Sequence, residues 1–330
     1  MTQIAIHGFG RIGRSALKMA LKRGLFVPVS ISDIRDLSTL AALFKVDTNY
    51  GHWHEEVRTA SDTELVIGGR YIKYINTEHS LPDWGELGVE LVIDCTGRAT
   101  TRAGAQEHLD HGAKRVLVSA PSKTLDDADA VLLPGINLEQ FDPEQHQIVS
   151  VASCTTNALA PVIKTLIESV GIKTAIFSTV HAYTNTQSLT DQPMRDRRDS
   201  WAAAENIIPA MSGAAKALQF IWPDLSITGK AYRVQARTVS IAEVNAVVKH
   251  DTTADELRDI FRHAAGTAPL KGIMSVLEGE WASSRILGDE HSSVIDLPLV
   301  QVLDGTFVSI ATWYDNEMGY ATRLVETAVA

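Results

Sequence analysis

Cysteine is scarce: Cys95 and Cys154 are the only two in 330 residues, too few and too far apart to form a disulfide framework or a zinc-ligand set. That scarcity points to a reducing compartment. No apolar run reaches the length of a membrane-spanning helix, and the opening residues, Met-Thr-Gln into Ile4-Ala5-Ile6, show no basic region, long apolar stretch or cleavage site. The expected location is the cytoplasm, with no membrane partner. Net positive charge is missing too. The formal charge of −10 argues against non-specific binding to nucleic acid, while a local positive pocket for a small anion stays compatible with it. Internal repeats, low-complexity tracts and Gly/Ser linkers are absent. What remains is an ordinary globular composition, 45% hydrophobic and 21% charged. The length suits two domains of roughly 150 residues each.

The first half alternates short apolar runs with amphipathic stretches, the pattern of strand-helix-strand units in a largely parallel sheet. It predicts strands over 4–7, 27–32, 91–95, 115–119 and 130–133, with a helix over 11–23 closed by Gly24. After about Val151 the texture changes to one long helix and then to β-like stretches over 173–184, 231–249 and 307–314. Their partial alternation of Thr, Val, Ile and Ser suits a mixed or antiparallel sheet with one covered face. The expected class is α/β: a Rossmann-type parallel-sheet domain, followed by an α+β domain.

Gly8-Phe9-Gly10-Arg11-Ile12-Gly13 follows a predicted strand and opens a predicted helix, the context in which Gly-x-Gly-x-x-Gly means dinucleotide binding. Gly8 permits the tight turn, Gly10 lets the backbone approach a pyrophosphate, and Gly13 allows close helix-to-strand packing. Asp33, twenty residues beyond Gly13 at the end of the second strand, supplies a carboxylate for the adenosine ribose hydroxyls and repels a 2′-phosphate. NAD is therefore expected over NADP. Asp36 reads as a loop or helix-capping residue.

Ser153-Cys154-Thr155-Thr156-Asn157 leads into a helix whose apolar positions Leu159, Val162, Ile163, Leu166, Ile167 and Val170 keep helical spacing until Gly171. Ser153 and its neighbours are good N-cap residues, which puts the Cys154 sulfur at the positive end of a helix dipole, where a thiolate is favoured. Such a thiolate attacks an aldehyde to give a thiohemiacetal, and hydride loss from that adduct gives a thioester. Cys95, inside an apolar strand, reads as inert. His181 ends the apolar run 175–180 and opens a polar loop, so it is the best placed of eleven histidines to act as base. His52 with His54, and His108 with His111, have spacings a metal could use. No third ligand stands near either pair, and their charged surroundings read as solvated surface, so no metal site is expected.

Six ordered motifs then resemble one family along essentially the whole chain. They are Gly8-Phe-Gly-Arg-Ile-Gly-Arg14, Ser119-Ala-Pro-Ser-Lys123, Ser153-Cys-Thr-Thr-Asn157, His181-Ala-Tyr-Thr-Asn185, Gly213-Ala-Ala-Lys216 and Trp313-Tyr-Asp-Asn-Glu317. The sequence resembles the glyceraldehyde-3-phosphate dehydrogenases. The resemblance implies NAD-dependent oxidation of D-glyceraldehyde 3-phosphate with inorganic phosphate, in a homotetramer. It implies an NAD-binding domain over 1–152 completed by a C-terminal helix over 316–330, with a catalytic domain over 153–315. Cys154 would be the nucleophile and His181 the base, and Asn316 would hold the nicotinamide carboxamide. Arg11, Ile12, Asp33 and Ser119 would line the rest of the cofactor site. Ser153, Thr155, Thr184, Ser212, Gly213 and Arg233 would hold the substrate phosphate and the attacking phosphate, hydroxyls, N–H groups and a guanidinium being suited to such anions.

Several positions depart from the family pattern: His7, Ala158, Gln235 and Met318 replace an Asn, a second Cys, a Pro and a Trp, and Thr186 stands where many members carry Asp. Asp199 falls on the arginine that helps bind inorganic phosphate. An acidic group there opposes anion binding, so either Arg197 or Arg198 reaches in, or the acyl acceptor and substrate differ. Alternative readings are a relative acting on erythrose 4-phosphate or releasing the free acid, and a binding or regulatory protein that keeps the fold without turnover.

Overall fold

In a computed structural model describing residues 2–330, the strand Ile4–His7 pairs in parallel with Ser30–Asp33 on one side and Leu91–Asp94 on the other. Its residues Ile4, Ala5 and Ile6 are buried, as are Ile31, Val92 and Ile93 beside them, which is why these strands read as continuous apolar runs. The sheet has nine strands in the order Ala130–Val131, Ile148–Ser150, Arg115–Val118, Leu91–Asp94, Ile4–His7, Ser30–Asp33, Arg70–Asn76, Glu64–Ile67, Val57–Ser61. The chain winds from Ile4–His7 first one way and later the other, and this reversal creates the crevice where open α/β sheets bind ligands. The last three strands in that order are joined antiparallel and escaped the sequence reading. Four expected strands are shorter than read: 91–95 and 115–119 each lose their last residue, 27–32 becomes Ser30–Asp33 and 130–133 becomes Ala130–Val131. The helix Arg11–Lys22 forms as expected, with Gly24 in the left-handed region at φ 63°.

A second sheet is mixed, in the order Ile208–Met211, Ile227–Val234, Ile172–Ala182, Ser240–Val248, Phe307–Tyr314, Ser293–Asp296, Met274–Leu277. The predicted stretch 231–249 is in fact two strands. Ile227–Val234 runs parallel to Ile172–Ala182 and Ser240–Val248 runs antiparallel to it on the opposite side, so the chain must leave the sheet between them. Val239 turns it, at φ 71°. The helix Cys154–Ser169 packs on this sheet against Ser240–Val248, Phe307–Tyr314 and Ser293–Asp296. The chain divides into two compact units, residues 1–152 with 321–330, and residues 153–320. No helix among the described residues is long and apolar enough to cross a membrane.

Candidate active site

In the first unit, parallel pairing brings four strand ends to one edge of the sheet. His7 is in register with Ser32 and with Asp94, and Asp94 with Val118, so the Gly8 turn, Asp33, Cys95 and Ser119 all leave the sheet on the same side. Gly8 sits at φ 87°, and a Cβ there would lie 2.8 Å from the Cys95 carbonyl carbon. At Gly13 a Cβ would meet the Gly8 carbonyl oxygen at 2.1 Å, which explains the tight helix-to-strand approach. Around Gly10 a Cβ would meet nothing within 4 Å, and the helix Arg11–Lys22 begins there without a side-chain cap. Main-chain donors at an open helix N-terminus are what a pyrophosphate requires, and the residues present fit a dinucleotide.

The Asp33 carboxylate accepts from the Phe9 N–H at 2.7 Å and the Arg35 N–H at 3.1 Å. A carboxylate has about four lone-pair positions, so it ties down the glycine turn and keeps capacity for a ribose diol. The Arg11 guanidinium pairs with Asp47 at 3.1 Å, which leaves its main chain as the part suited to a cofactor. Asp36 caps the helix Leu37–Lys45 by accepting from the Thr39 N–H at 2.8 Å, as expected of a capping residue.

Behind the turn lies an arrangement the sequence reading missed. His108 is 2% exposed and not solvated, because the helix Arg102–Asp110 turns it inward with Ala105 while His111 falls just past the helix end. His7, Asp94 and His108 bring three potential ligand atoms within 4.8 Å of one another. Trp84 Nε1, which can only donate, bonds His108 Nδ1 at 3.2 Å, so the proton of that ring sits on Nε2, facing Asp94 Oδ2 at 3.1 Å. Neither nitrogen of His108 has a lone pair left for a cation. The half-buried His7 bonds Ser32 Oγ through Nδ1 at 2.8 Å, and burial pulls its pKa down to about 4 against the opposing pull of Asp94.

In the second unit, Ser153 caps the helix by accepting from the Thr156 N–H at 3.1 Å, which makes Cys154 the first helical residue. Strand register places His181 beside Arg233, and the His181 ring comes within 3.4 Å of the Cys154 sulfur through Nε2. Cys154 is only half-buried, yet dense packing around the sulfur pushes the thiol pKa up, with Arg233 and the Thr155 hydroxyl and amide opposing that. The helix position alone therefore does not make a thiolate, and a base must take the proton. His181 is placed to take it; burial and then the Arg233 guanidinium drive its pKa down to about 3, which keeps the ring neutral with a lone pair free and also weakens it as a base. Its Nδ1 lies 2.6 Å from both the Ala182 carbonyl oxygen and Arg233 Nη1. When Nδ1–H donates to the carbonyl, Nε2 keeps its lone pair toward the thiol; when Nδ1 accepts from Arg233, Nε2–H points at the sulfur. Only the first tautomer can take the thiol proton, and taking it gives the imidazolium, with a proton on each nitrogen.

Arg233 Nε is buried without a hydrogen-bond partner, and among the described residues no carboxylate forms an ion pair with this guanidinium. A desolvated cation of this kind suits an anionic substrate group. Ser212 and Gly213 lead into the helix Ala214–Ile221, which packs against the helix Cys154–Ser169. Thr155 is buried and Ser153 half-buried, and they flank Cys154 in the chain.

Two side chains the sequence reading left without a role connect these parts. Ser240 Oγ accepts from the Ala182 N–H at 3.1 Å and donates to Asn316 Oδ1 at 3.2 Å, orienting the Asn316 amide. Tyr314 OH bonds Thr155 Oγ1 at 3.1 Å and Thr179 Oγ1 at 2.8 Å, and its ring meets the His181 ring edge-on. Asp199 is half-buried, and its Oδ1 accepts from Gln187 Nε2 at 2.9 Å. Among the described residues neither Arg197 nor Arg198 pairs with it, and both are exposed.

A parallel sheet with a dinucleotide edge in one unit, and a mixed sheet carrying a Cys–His pair in the other, define a two-domain NAD-dependent oxidoreductase. Residues 2–102 match the glyceraldehyde 3-phosphate dehydrogenase NAD binding domain, and residues 153–316 match the glyceraldehyde 3-phosphate dehydrogenase C-terminal domain. The glyceraldehyde-3-phosphate dehydrogenase of Kitasatospora aureofaciens is 43% identical over 330 residues, covering 99% of this chain and 98% of the relative. That of Streptomyces coelicolor is 42% identical, covering 99% and 97%, and that of Geobacillus stearothermophilus is 40% identical, covering 99% and 97%. The chain belongs to the glyceraldehyde-3-phosphate dehydrogenase family.

Proposed function

We propose that this protein oxidises D-glyceraldehyde 3-phosphate, with NAD and inorganic phosphate, to the acyl phosphate. The observation that carries the reading is the Cys154 sulfur 3.4 Å from a neutral imidazole whose other side meets Arg233. Cys154 Sγ attacks the aldehyde carbon while His181 Nε2 takes the thiol proton, and the His181 imidazolium returns that proton to the resulting oxyanion, giving a thiohemiacetal and a neutral ring. His181 then accepts the hydroxyl proton as hydride leaves the same carbon, giving a thioester two electrons more oxidised. The chemistry that NAD would supply here is acceptance of that hydride. An oxygen of inorganic phosphate attacks the thioester, Sγ leaves, and the acyl phosphate departs. Burial of His181 keeps water from competing for its lone pair.

Gly8, Gly10, Ile12, Gly13, Asp33, Ser119 and the main chain of Arg11 hold the cofactor in this reading, and Asn316 is oriented for a carboxamide. Arg233 takes the substrate phosphate in a site that Thr184 borders, and Ser153, Thr155, Ser212 and Gly213 serve the attacking phosphate. The domain division is 1–152 with the C-terminal helix, and 153–315. We read the protein as a cytoplasmic homotetramer. Both cysteines are unpaired, and Leu189, Ile207 and Met211 are exposed apolar residues that a second copy would cover.

NADH formation from the aldehyde, followed with and without inorganic phosphate, tests the activity. Cys154→Ser should abolish turnover while leaving NAD affinity nearly intact. His181→Asn should lower the maximal rate roughly a hundred- to ten-thousand-fold and slow alkylation of Cys154. A serine variant within tenfold of the parent rate would remove the thiol from the mechanism.

A further inference from the structure

Gln187 is 8% exposed, and its amide is wedged between two groups that cannot exchange roles. At one end the Thr184 N–H, a donor only, reaches Gln187 Oε1 at 2.9 Å. At the other the Asp199 carboxylate, an acceptor when ionised, takes a hydrogen bond from Gln187 Nε2 at 2.9 Å. Both neighbours demand the same orientation of the amide, so it is fixed twice over. The hydroxyls follow from it. Gln187 Nε2 donates to Thr186 Oγ1 at 2.8 Å, so the Thr186 proton turns to Thr184 Oγ1 at 3.0 Å, and the Thr184 proton turns to Gln187 Oε1 at 3.2 Å. Thr184 thus has both its N–H and its O–H committed inside the loop. It presents lone pairs outward, where an anion needs donors.

We propose that Asp199, acting through Gln187, is a specificity-determining positioning residue that turns the Thr184 donors inward and holds down this loop's affinity for the substrate's phosphate group. The proposal rests on the reading that Thr184 belongs to the substrate phosphate site. An uncharged carboxamide at position 199 can donate to Gln187 as readily as accept from it. The Gln187 amide can then reverse, presenting Nε2 to the Thr184 hydroxyl and releasing both Thr184 donors to an anion.

The quantity to measure is the ratio of kcat/KM for glyceraldehyde 3-phosphate to that for glyceraldehyde, which isolates the phosphate contact from the chemistry at Cys154. Asp199→Asn should raise the ratio roughly tenfold, through KM for the phosphorylated aldehyde. Thr184→Val should lower the ratio little in the parent and about tenfold in the Asp199→Asn background. An equal loss in both backgrounds, with no gain from Asp199→Asn alone, overturns the role of Asp199 and leaves Thr184 in the site. No loss in either background removes Thr184 from the site, and the proposal with it. Gln187→Leu keeps the Asp199 charge but cuts the link, so it too should raise the ratio. A gain with Asp199→Asn but none with a folded Gln187→Leu would mean simple charge repulsion, and would also overturn the proposal.

Discussion

Asp33 does two things with one carboxylate. It holds the Phe9 and Arg35 N–H groups, and it retains acceptor capacity at the sheet edge where a ribose diol fits. Asp33→Ala should therefore weaken NAD binding and narrow the gap to NADP. It should also cost about 1–3 kcal/mol of stability, because two main-chain donors lose their acceptor. Titrations with both cofactors and urea unfolding check the two halves separately; equal affinity of the unmutated protein for NAD and NADP would show that this carboxylate does not select. The place of Asp33 at the end of the second strand, beside the glycine turn, was legible from its spacing to the glycines. The second duty was not, since it depends on where a neighbouring loop folds back. The same holds for Gln187, Ser240 and Tyr314, whose partners are joined by strand pairing and loop closure rather than by proximity in sequence.

Among the elements, those with local signals were legible and those defined by neighbours were not. The helix Cys154–Ser169 announced itself through its apolar spacing, its Ser153 cap and Gly171 at φ 67°. By contrast, nothing in the Thr- and Val-rich run over 231–249 reveals that its halves lie on opposite sides of Ile172–Ala182. The antiparallel strands over 57–76 were overlooked because the strand-helix alternation elsewhere sets a parallel expectation. The cap has a measurable worth. Ser153→Ala removes the acceptor of the Thr156 N–H and should lower stability by about 1 kcal/mol, seen as a lower urea midpoint at unchanged slope. An unaltered midpoint would mean that packing of the helix on the sheet makes the cap redundant.

For the molecule as a whole, two neutral histidines set an acid limit. His7 is held down to about 4 and His181 to about 3, against an ordinary value of 6.5. Well above pH 6.5 both are uncharged whether the chain is folded or not, and they impose no pH dependence. As pH falls from 6.5 toward 4 the unfolded chain takes up protons that the folded chain refuses, so stability declines through that window. The His7 share is on the order of 2–3 kcal/mol. His7→Asn, which keeps a polar partner for Ser32, should flatten the decline measured by urea unfolding between pH 7 and 4. An unchanged slope would assign the loss to other groups.

The first compact unit includes residues 321–330, where Leu324 and Val325 are buried and Glu326 pairs with Arg23. A ribosome makes these residues only after the entire second unit. The nascent cofactor domain must therefore wait, with part of its interior uncovered, while some 170 intervening residues emerge. Its final closure joins segments separated by nearly the whole sequence, a contact of the kind that slows folding. Chaperone dependence during synthesis should accordingly centre on the part of the chain that is translated first.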